Sequence, residues 1–184
     1  IEFNEVRDAR EKVIVERLID IRRAETEYRN IKGDFTTSFD TLINFVKYEK
    51  AKIVLKEGEL TDKQLEEGLT EREAVKQGLI KRDTTYVSML ENLFGANYPV
   101  DSLRYIPFSS PRQEFTLEKA EITTGSAGIK VKVMAAKAPY VSYLNDLDKQ
   151  ELINLVETTE KLEKFPGLKF GDIEQANNNA GNWE

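Results

Sequence analysis

The feature that most constrains this chain is a long helical pattern over residues 4–32. Asn4 is a suitable N-cap at its start, and Gly33 closes it. A helix of this length spans about 43 Å at ~1.5 Å per residue, which is more than a small domain needs. We therefore predict that only part of the helix packs on the domain.

The apolar stripe of this helix is clean only in its second half. Arg10 and Arg17 fall inside the stripe, and the apolar face is continuous from Leu18 onward. We expect the second half to pack on a core and the first half to project as a stalk or to pack on a partner. Val6 and Val13 belong to the main stripe, whereas Val15 and Ile19 form a second, small apolar patch opposite it. The candidate surface for a protein partner or for self-assembly comprises Val6, Val13, Val15 and Ile19.

Charge excludes several classes of partner and chemistry. The 184 residues contain 27 basic and 33 acidic side chains, a net charge of −6, so neither nucleic acid nor a direct contact with an anionic membrane surface is expected. There is no Cys and no His, which excludes thiol nucleophiles, imidazole bases and Cys/His zinc sites. Within the long helix, Glu25 and Arg29 have the i,i+4 spacing of a solvated ion pair.

The middle of the chain combines short helices with a strand. A second helix is predicted to start after Thr37 or Ser38, and residues 52–55 (KIVL) read as a strand. Residues 60–80 contain two similar segments, each with a Thr three residues before a Gln or Glu, which is the spacing of a capping box. We predict a short helical insertion of two turns, which end at Gly68 and Gly78.

Strand signals dominate the following segment. Residues 82–88 and 102–108 are rich in β-favouring side chains, and residues 129–133 alternate strictly between apolar residues and lysine. Residues 114–122 change phase near Glu118, which predicts a bulge or break there. Antiparallel pairing of 114–122 with 129–133 through the loop 123–128 is therefore expected.

The C-terminal part predicts a helix, a short strand and a polar tail. Asp148 is a suitable N-cap for a helix over 148–163, which stops at Phe165-Pro-Gly, and an edge strand can follow. Residues 172–184 form an Asn-rich tail, for which disorder is the default expectation, and the only tryptophan, Trp183, is the candidate anchor if the tail packs on the domain. The chain is thus predicted to be one α+β domain, residues 1–184, in which the long helix packs on an antiparallel sheet of about four strands beside a C-terminal helix.

One acidic segment raises the question of a metal. The side-chain oxygens of Asn145, Asp146 and Asp148 have a spacing that could suit calcium, but no Gly supplies the usual bend and Asp148 suits an N-cap. The glycines match neither a phosphate loop nor a dinucleotide fingerprint. We expect no cofactor and no metal, and these three residues are the only metal candidates.

Residues 13–43 (VIVERLIDIRRAETEYRNIKGDFTTSFDTLI) resemble the junction between helix and head in type IV pilins and type II secretion pseudopilins. That junction has Ala and Tyr at the helix end, then a Gly, an aromatic residue and a segment with Ser and Leu. The resemblance implies a pilin-like plan, with a sheet packed on the second half of the helix and a membrane segment upstream. The remainder of the chain is similar to uncharacterised bacterial membrane-anchored proteins. The matching positions are Ala24, Tyr28, Gly33, Phe35, Ser38 and Leu42.

The sequence leaves three classes of function open. The leading hypothesis is a non-enzymatic structural or assembly subunit, anchored in a membrane and extracytoplasmic, with a cytoplasmic location as the alternative. The second is an extracytoplasmic binding module for a peptide, glycan or partner protein, for which Tyr98 and Tyr105 are candidate exposed aromatics. An enzyme would require convergent carboxylates or a Lys–Ser pair in a cleft.

Overall fold

Helices and antiparallel strands build an α+β fold in this computed structural model, which describes residues 2–184. The long N-terminal helix and the C-terminal helix agree with the predicted plan. The helices are α1 (Glu2–Lys32), α2 (Phe39–Tyr48), α3 (Asp62–Glu66), α4 (Glu71–Lys76), α5 (Met89–Leu93), α6 (Tyr140–Tyr143) and α7 (Lys149–Lys161). The strands are β1 (Lys50–Glu57), β2 (Lys81–Ser88), β3 (Thr116–Thr124), β4 (Ile129–Pro139) and β5 (Gly167–Gly171).

Helix α1 contributes a buried face to the core of the domain. Its buried side chains recur at helical spacing, and those of Ile14, Leu18 and Ile21 are completely inaccessible to solvent. The face they form packs on α2 and β5. Burial of each such side chain contributes about 2 kcal/mol relative to exposure, so this stripe supplies a large share of the stability.

A three-stranded antiparallel sheet has β4 in the centre, between β3 and β5. Strand β5 is the predicted edge strand, and the predicted β3–β4 hairpin is confirmed. The expected bulge near Glu118 is wrong, because the register runs without a break and Glu118 lies opposite Ala135. The change of phase reflects two covered faces: Leu117 is partly buried on one face, and Ala120 is partly buried on the other.

Strands β1 and β2 form a separate two-stranded ribbon, so the expected single sheet of about four strands is wrong. The ribbon carries α3 and α4 between its strands, and residues 50–88 together are called the arm below. Both capping boxes of the predicted insertion are confirmed. The Thr61 hydroxyl accepts from Gln64 N and the Thr70 hydroxyl from Glu73 N, while the Gln64 and Glu73 side chains accept from the capping residues in return.

Residues 102–108 are not a strand. A 3₁₀ turn at Val100–Ser102 precedes them, and the only pairing within this segment is one bridge between Tyr105 and Glu114. Pro107 lacks the N–H group that a continuous ladder requires. The apolar pattern instead reflects core contacts, since Leu103 and Ile106 are buried.

The C-terminal helix follows the prediction, whereas the default expectation of a disordered tail is wrong. The Asp148 carboxylate accepts from Glu151 N and caps α7. The polar tail folds back on the domain, because Gly181 bridges to Phe170 and Trp183 packs against the core. The tail is therefore part of the fold, with Trp183 as its anchor.

Candidate functional site

The first half of α1 packs on its own chain. Phe3 is buried, and the Arg10 guanidinium donates to both carboxylate oxygens of Asp146, at 2.7 and 2.9 Å. Arg10 also donates to the Tyr143 carbonyl at 2.7 Å. The expectation that this half projects from the domain is therefore corrected. Arg10, which interrupts the apolar stripe, is the residue that fastens the helix to the segment before α7.

The structure does not gather the predicted interaction residues of α1 into one exposed patch. Val13 is 41% exposed, whereas Val6, Val15 and Ile19 are partly buried. Val15 packs against the main core, and Val6 lines a groove beside Leu147. A partner could contact Val13, but the other three side chains are largely used within the domain.

The three metal candidates have separate structural roles. Asp146 pairs with Arg10, and the guanidinium holds the pKa of that carboxyl below its usual range. Asp148 caps α7, and the Asn145 amide donates to the Ser110 carbonyl. Across residues 2–184, no group of three acidic side chains is arranged to hold a metal ion. The segment therefore connects α1 to the start of α7 through these hydrogen bonds.

The junction residues connect α1 to α2. Gly33 has a φ of +89°, which a residue with a Cβ adopts only with strain, and its N–H donates to the Arg29 carbonyl at 2.8 Å. Tyr28 meets Phe45 edge to face, with ring centroids 5.2 Å apart. Phe35 is buried at 2% exposure. These contacts hold the last turn of α1 against α2.

The remaining junction positions lie in the core or cap a helix. The Ala24 and Leu42 side chains are both completely buried. Ser38 is the N-cap of α2, and its hydroxyl accepts from Thr41 N at 3.2 Å. The junction is thus a packed structural element.

A buried carboxylate lies beside this junction, at Glu25. The predicted solvated pair with Arg29 is wrong, because Glu25 is fully buried and accepts a hydrogen bond from Thr36 N at 3.0 Å. Burial raises the pKa of Glu25 to about 8, although the Thr36 hydrogen bond and Lys119 oppose the shift. The signal that sequence reasoning missed is positional: Glu25 follows Leu18 and Ile21 on the buried face, at i+7 and i+4.

Neither aromatic candidate for a binding pocket is free. The Tyr98 hydroxyl donates to Asp20 at 2.6 Å and its ring stacks on Phe94, with centroids 4.3 Å apart. Tyr105 lies under the Arg112 guanidinium, 3.8 Å from the ring centroid. These rings stabilise the domain, so they are poor candidates for ligand contacts.

The arm carries the most conspicuous unpartnered apolar surface. Six of the fourteen large apolar side chains that are exposed within residues 2–184 belong to this 39-residue element, about a fifth of the chain. Only its base and tip have buried side chains: Ala51 at the base, and Ala74 and Ile80 at the tip. The exposed side chains are Val54, Leu55, Leu65, Val75, Leu79 and Tyr86.

One face of the ribbon is basic. Residues directly opposite each other in an antiparallel pair share a face. The face that includes the Ala51–Val87 pair turns toward the core at its base, so the other face points away from the domain. That outer face carries four basic and no acidic side chains. The pairs on it are Lys50–Ser88, Lys52–Tyr86, Val54–Thr84 and Lys56–Arg82.

The two ends of this basic face differ in charge balance. At the distal end, the Glu71 carboxylate neutralises Lys56 at 3.3 Å and Arg82 at 3.4 Å. At the proximal end, Lys50 and Lys52 have no carboxylate within 4.0 Å in the part of the chain that the structure describes. The proximal half, with its exposed Tyr86, is the candidate functional site. The alternation of lysine with apolar residues is visible in the sequence, but which face is free depends on the arm standing apart from the sheet.

No family model matches the sequence, and no curated protein or solved structure matches it. No helix within residues 2–184 has the length and apolar character needed to cross a membrane.

Proposed function

We propose that this protein is a non-enzymatic assembly subunit that binds an acidic protein partner through the arm. The observation that carries the proposal is the outer face of the ribbon, where Lys50, Lys52 and Tyr86 are exposed and lack partners. The extracytoplasmic location and an anchor upstream are part of the proposal, and they rest on the resemblance of residues 13–43 to a pilin junction.

The exposure of the arm supports a binding role. An isolated two-stranded ribbon is at best marginally stable in water, and exposed aliphatic and aromatic side chains cost solubility without adding to the core. Tyr86 is 62% exposed on this ribbon. Interfaces are enriched in tyrosine, and a ring surrounded by long basic side chains suits the centre of such a contact.

The charge distribution favours an acidic partner. The arm contains eight basic and eight acidic residues, so its net charge is zero, and the remaining 19 basic and 25 acidic residues account for the −6 of the chain. An acidic partner is therefore repelled by the body of the domain and attracted by the face that includes Lys50 and Lys52. Complementary charge would orient the partner on the outer face of the ribbon.

Site-specific photo-crosslinking in membranes that contain the protein tests the proposal. A photoreactive residue at position 86 is expected to give an adduct of discrete mass, whereas one at position 55, on the opposite face, is the matched control. Reversal of charge by Lys50→Glu with Lys52→Glu should abolish the adduct. Equal adducts from both faces, or an adduct that survives charge reversal, would contradict the proposal.

A shortened arm provides a second test. Residue Val54 lies opposite Thr84, so residues 55–83 can be replaced by Asn-Gly, a sequence that favours a two-residue hairpin turn. This variant keeps the buried base of the ribbon, including Ala51. We expect it to retain its cooperative unfolding, because the tip lies outside the main core. A crosslinker at the position of Tyr86 should still give the adduct in this variant, because Lys50 and Lys52 are retained beside it. Loss of the adduct would contradict the assignment of the contact to the proximal half of the arm.

A further inference from the structure

A polar groove lies where the C-terminal tail crosses the second half of α1. Its volume is about 470 Å³, within the range of pockets that bind small molecules. Unlike most such pockets, it is lined mainly by polar side chains, and Leu93 is its only aliphatic one. We call it the arginine–asparagine groove. Its principal polar side chains are Arg22, Arg23, Arg29, Asn92, Asn178 and Asn179.

Aromatic rings hold the three guanidinium groups of the groove. A guanidinium within about 6 Å of a ring centroid is attracted to the ring, and this contact restricts an otherwise flexible side chain. Restriction before binding lowers the entropy cost of binding an anion. The pairs and their distances to the ring centroid are Arg22–Trp183 at 5.7 Å, Arg23–Phe94 at 5.2 Å and Arg29–Phe35 at 5.1 Å.

The three arginines differ in the polar groups that their guanidinium groups contact. Arg22 pairs with Glu184 at 2.7 Å and donates to the Asn179 carbonyl at 3.0 Å, so it fastens the tail. Arg23 and Arg29 have no carboxylate within 4.0 Å among residues 2–184. They leave two positive charges facing a groove in a protein whose net charge is −6.

The tail adds amide groups in a strained turn. Asn178 and Asn179 both have a φ of 55°, a left-handed conformation that is costly for residues with a Cβ and least so for asparagine. The side-chain amides of Asn92, Asn178 and Asn179 have no hydrogen-bond partner within the described chain. Each amide offers both a donor and an acceptor, which is also the hydrogen-bonding capacity of a sugar hydroxyl.

We propose that the arginine–asparagine groove binds an acidic saccharide. Arg23 and Arg29 supply charge-assisted hydrogen bonds to the sugar carboxylates, and the asparagine amides bind its hydroxyls. Glu27 also lines the groove and repels a concentrated negative charge, which disfavours a doubly charged phosphate group relative to single carboxylates spaced along a saccharide. A peptide is the weaker fit, because Leu93 alone offers an apolar contact for side chains.

Isothermal titration calorimetry with trigalacturonate tests this proposal directly. The methyl-esterified trisaccharide is the matched ligand control, because it keeps the hydroxyls and loses the charges. We expect trigalacturonate to bind with at least about tenfold higher affinity than the ester, since charge-assisted hydrogen bonds are roughly twice as strong as neutral ones. Equal affinity of the two, or no binding at millimolar concentration, would overturn the proposal. Equal or tighter binding of triglutamate would overturn the assignment to a saccharide.

Variants locate the binding in the groove. Arg23→Gln with Arg29→Gln should weaken binding of trigalacturonate by at least about tenfold, whereas Arg72→Gln on the exposed arm should not change it. Asn178→Gly removes an amide while suiting the left-handed backbone, so it keeps the test informative if the double variant fails to fold. Unchanged affinity in Asn178→Gly and the arginine variant would refute the proposed site. The arm is intact in all of these variants, so crosslinking through position 86 reports separately on the proposed assembly role.

Discussion

The Glu25 carboxylate accepts a hydrogen bond from Thr36 N at 3.0 Å while it is fully buried between α1 and the segment that leads to α2. Its second oxygen has no hydrogen-bond partner in the described structure. A buried acid with one unsatisfied oxygen is costly when charged, so the neutral form is favoured. The stability of the packed junction therefore depends on whether the Glu25 carboxyl is protonated.

We predict that stability falls as pH rises from 5 to 8. The pKa of Glu25 is raised from 4.5 to about 8 by burial, so the folded state binds more protons than the unfolded state between these values. The stabilising contribution is fully present below 4.5 and is lost as pH rises toward 8, by at most about 1.4 kcal/mol per pH unit. Urea unfolding at pH 5, 6, 7 and 8 measures this slope.

The variant Glu25→Gln should flatten that dependence. The amide oxygen can still accept from Thr36 N, and no buried carboxyl remains to ionise. Glu16→Gln, at an exposed position of the same helix, is the control and should leave the slope unchanged. A slope that persists in Glu25→Gln would show that another group is responsible.

Two glycines with positive φ should respond differently to alanine. Gly33 has a φ of +89°, and no atom lies within 4 Å of the position that a Cβ would take, so Gly33→Ala should cost only the backbone strain, about 1–2 kcal/mol. In Gly171→Ala, the new Cβ would lie 2.0 Å from the Met134 carbonyl oxygen, so β4 and β5 must separate and the loss should be larger. Denaturant midpoints of the two variants test this order, and equal losses would contradict it.

The tail should loosen around Trp183 when Arg22 is truncated. Arg22 lies over the Trp183 ring, 5.7 Å from its centroid, and pairs with Glu184. Arg22→Ala removes both contacts, and loss of the ring contact alone should lower the free energy of unfolding by about 0.5–1 kcal/mol. Because Trp183 is the only tryptophan, its fluorescence reports the event directly, and we expect a red-shifted emission with greater quenching by iodide. Arg72→Ala is the control, and an unchanged emission in Arg22→Ala would mean that other contacts hold the tail.

Local signals in the sequence predict the fold better than long-range ones. The N-cap at Asp148 and the capping box at Thr61 depend only on residues three positions apart, so they can be found from the sequence. The separation of the arm from the three-stranded sheet cannot be found in this way. Residues 50–57 pair with residues 81–88, about 30 positions away, and the sequence does not show whether these strands also pair with the edge of another sheet. The candidate site escapes sequence reasoning for the same reason, since the alternation around Lys52 does not show which face is covered.

Charged residues on α1 mislead sequence reasoning where tertiary contacts override the helical pattern. The position of Arg10 predicts that the first half of the helix lies apart from a core, yet its guanidinium reaches Asp146 and the Tyr143 carbonyl. The spacing of Glu25 predicts a solvated side chain, yet it lies in the interior. Asp146 lies 136 residues from Arg10, and Thr36 lies 11 residues from Glu25 beyond the end of the helix, so helical periodicity alone reveals neither contact.

Loss of the Asp146 carboxylate should loosen the first half of α1. In Asp146→Asn, Arg10 keeps its hydrogen bond to the Tyr143 carbonyl but loses a carboxylate bound through both oxygens. We expect a loss of about 1 kcal/mol, because Asp146 is partly exposed, together with faster amide hydrogen exchange over residues 5–14. Arg10 holds the pKa of Asp146 low, so this contribution is present at neutral pH and is lost as pH falls through the lowered pKa. Glu16→Gln, at an exposed position of the same helix outside residues 5–14, is the control. If the first half of α1 instead stood free as a stalk, Asp146→Asn would leave exchange in residues 5–14 unchanged.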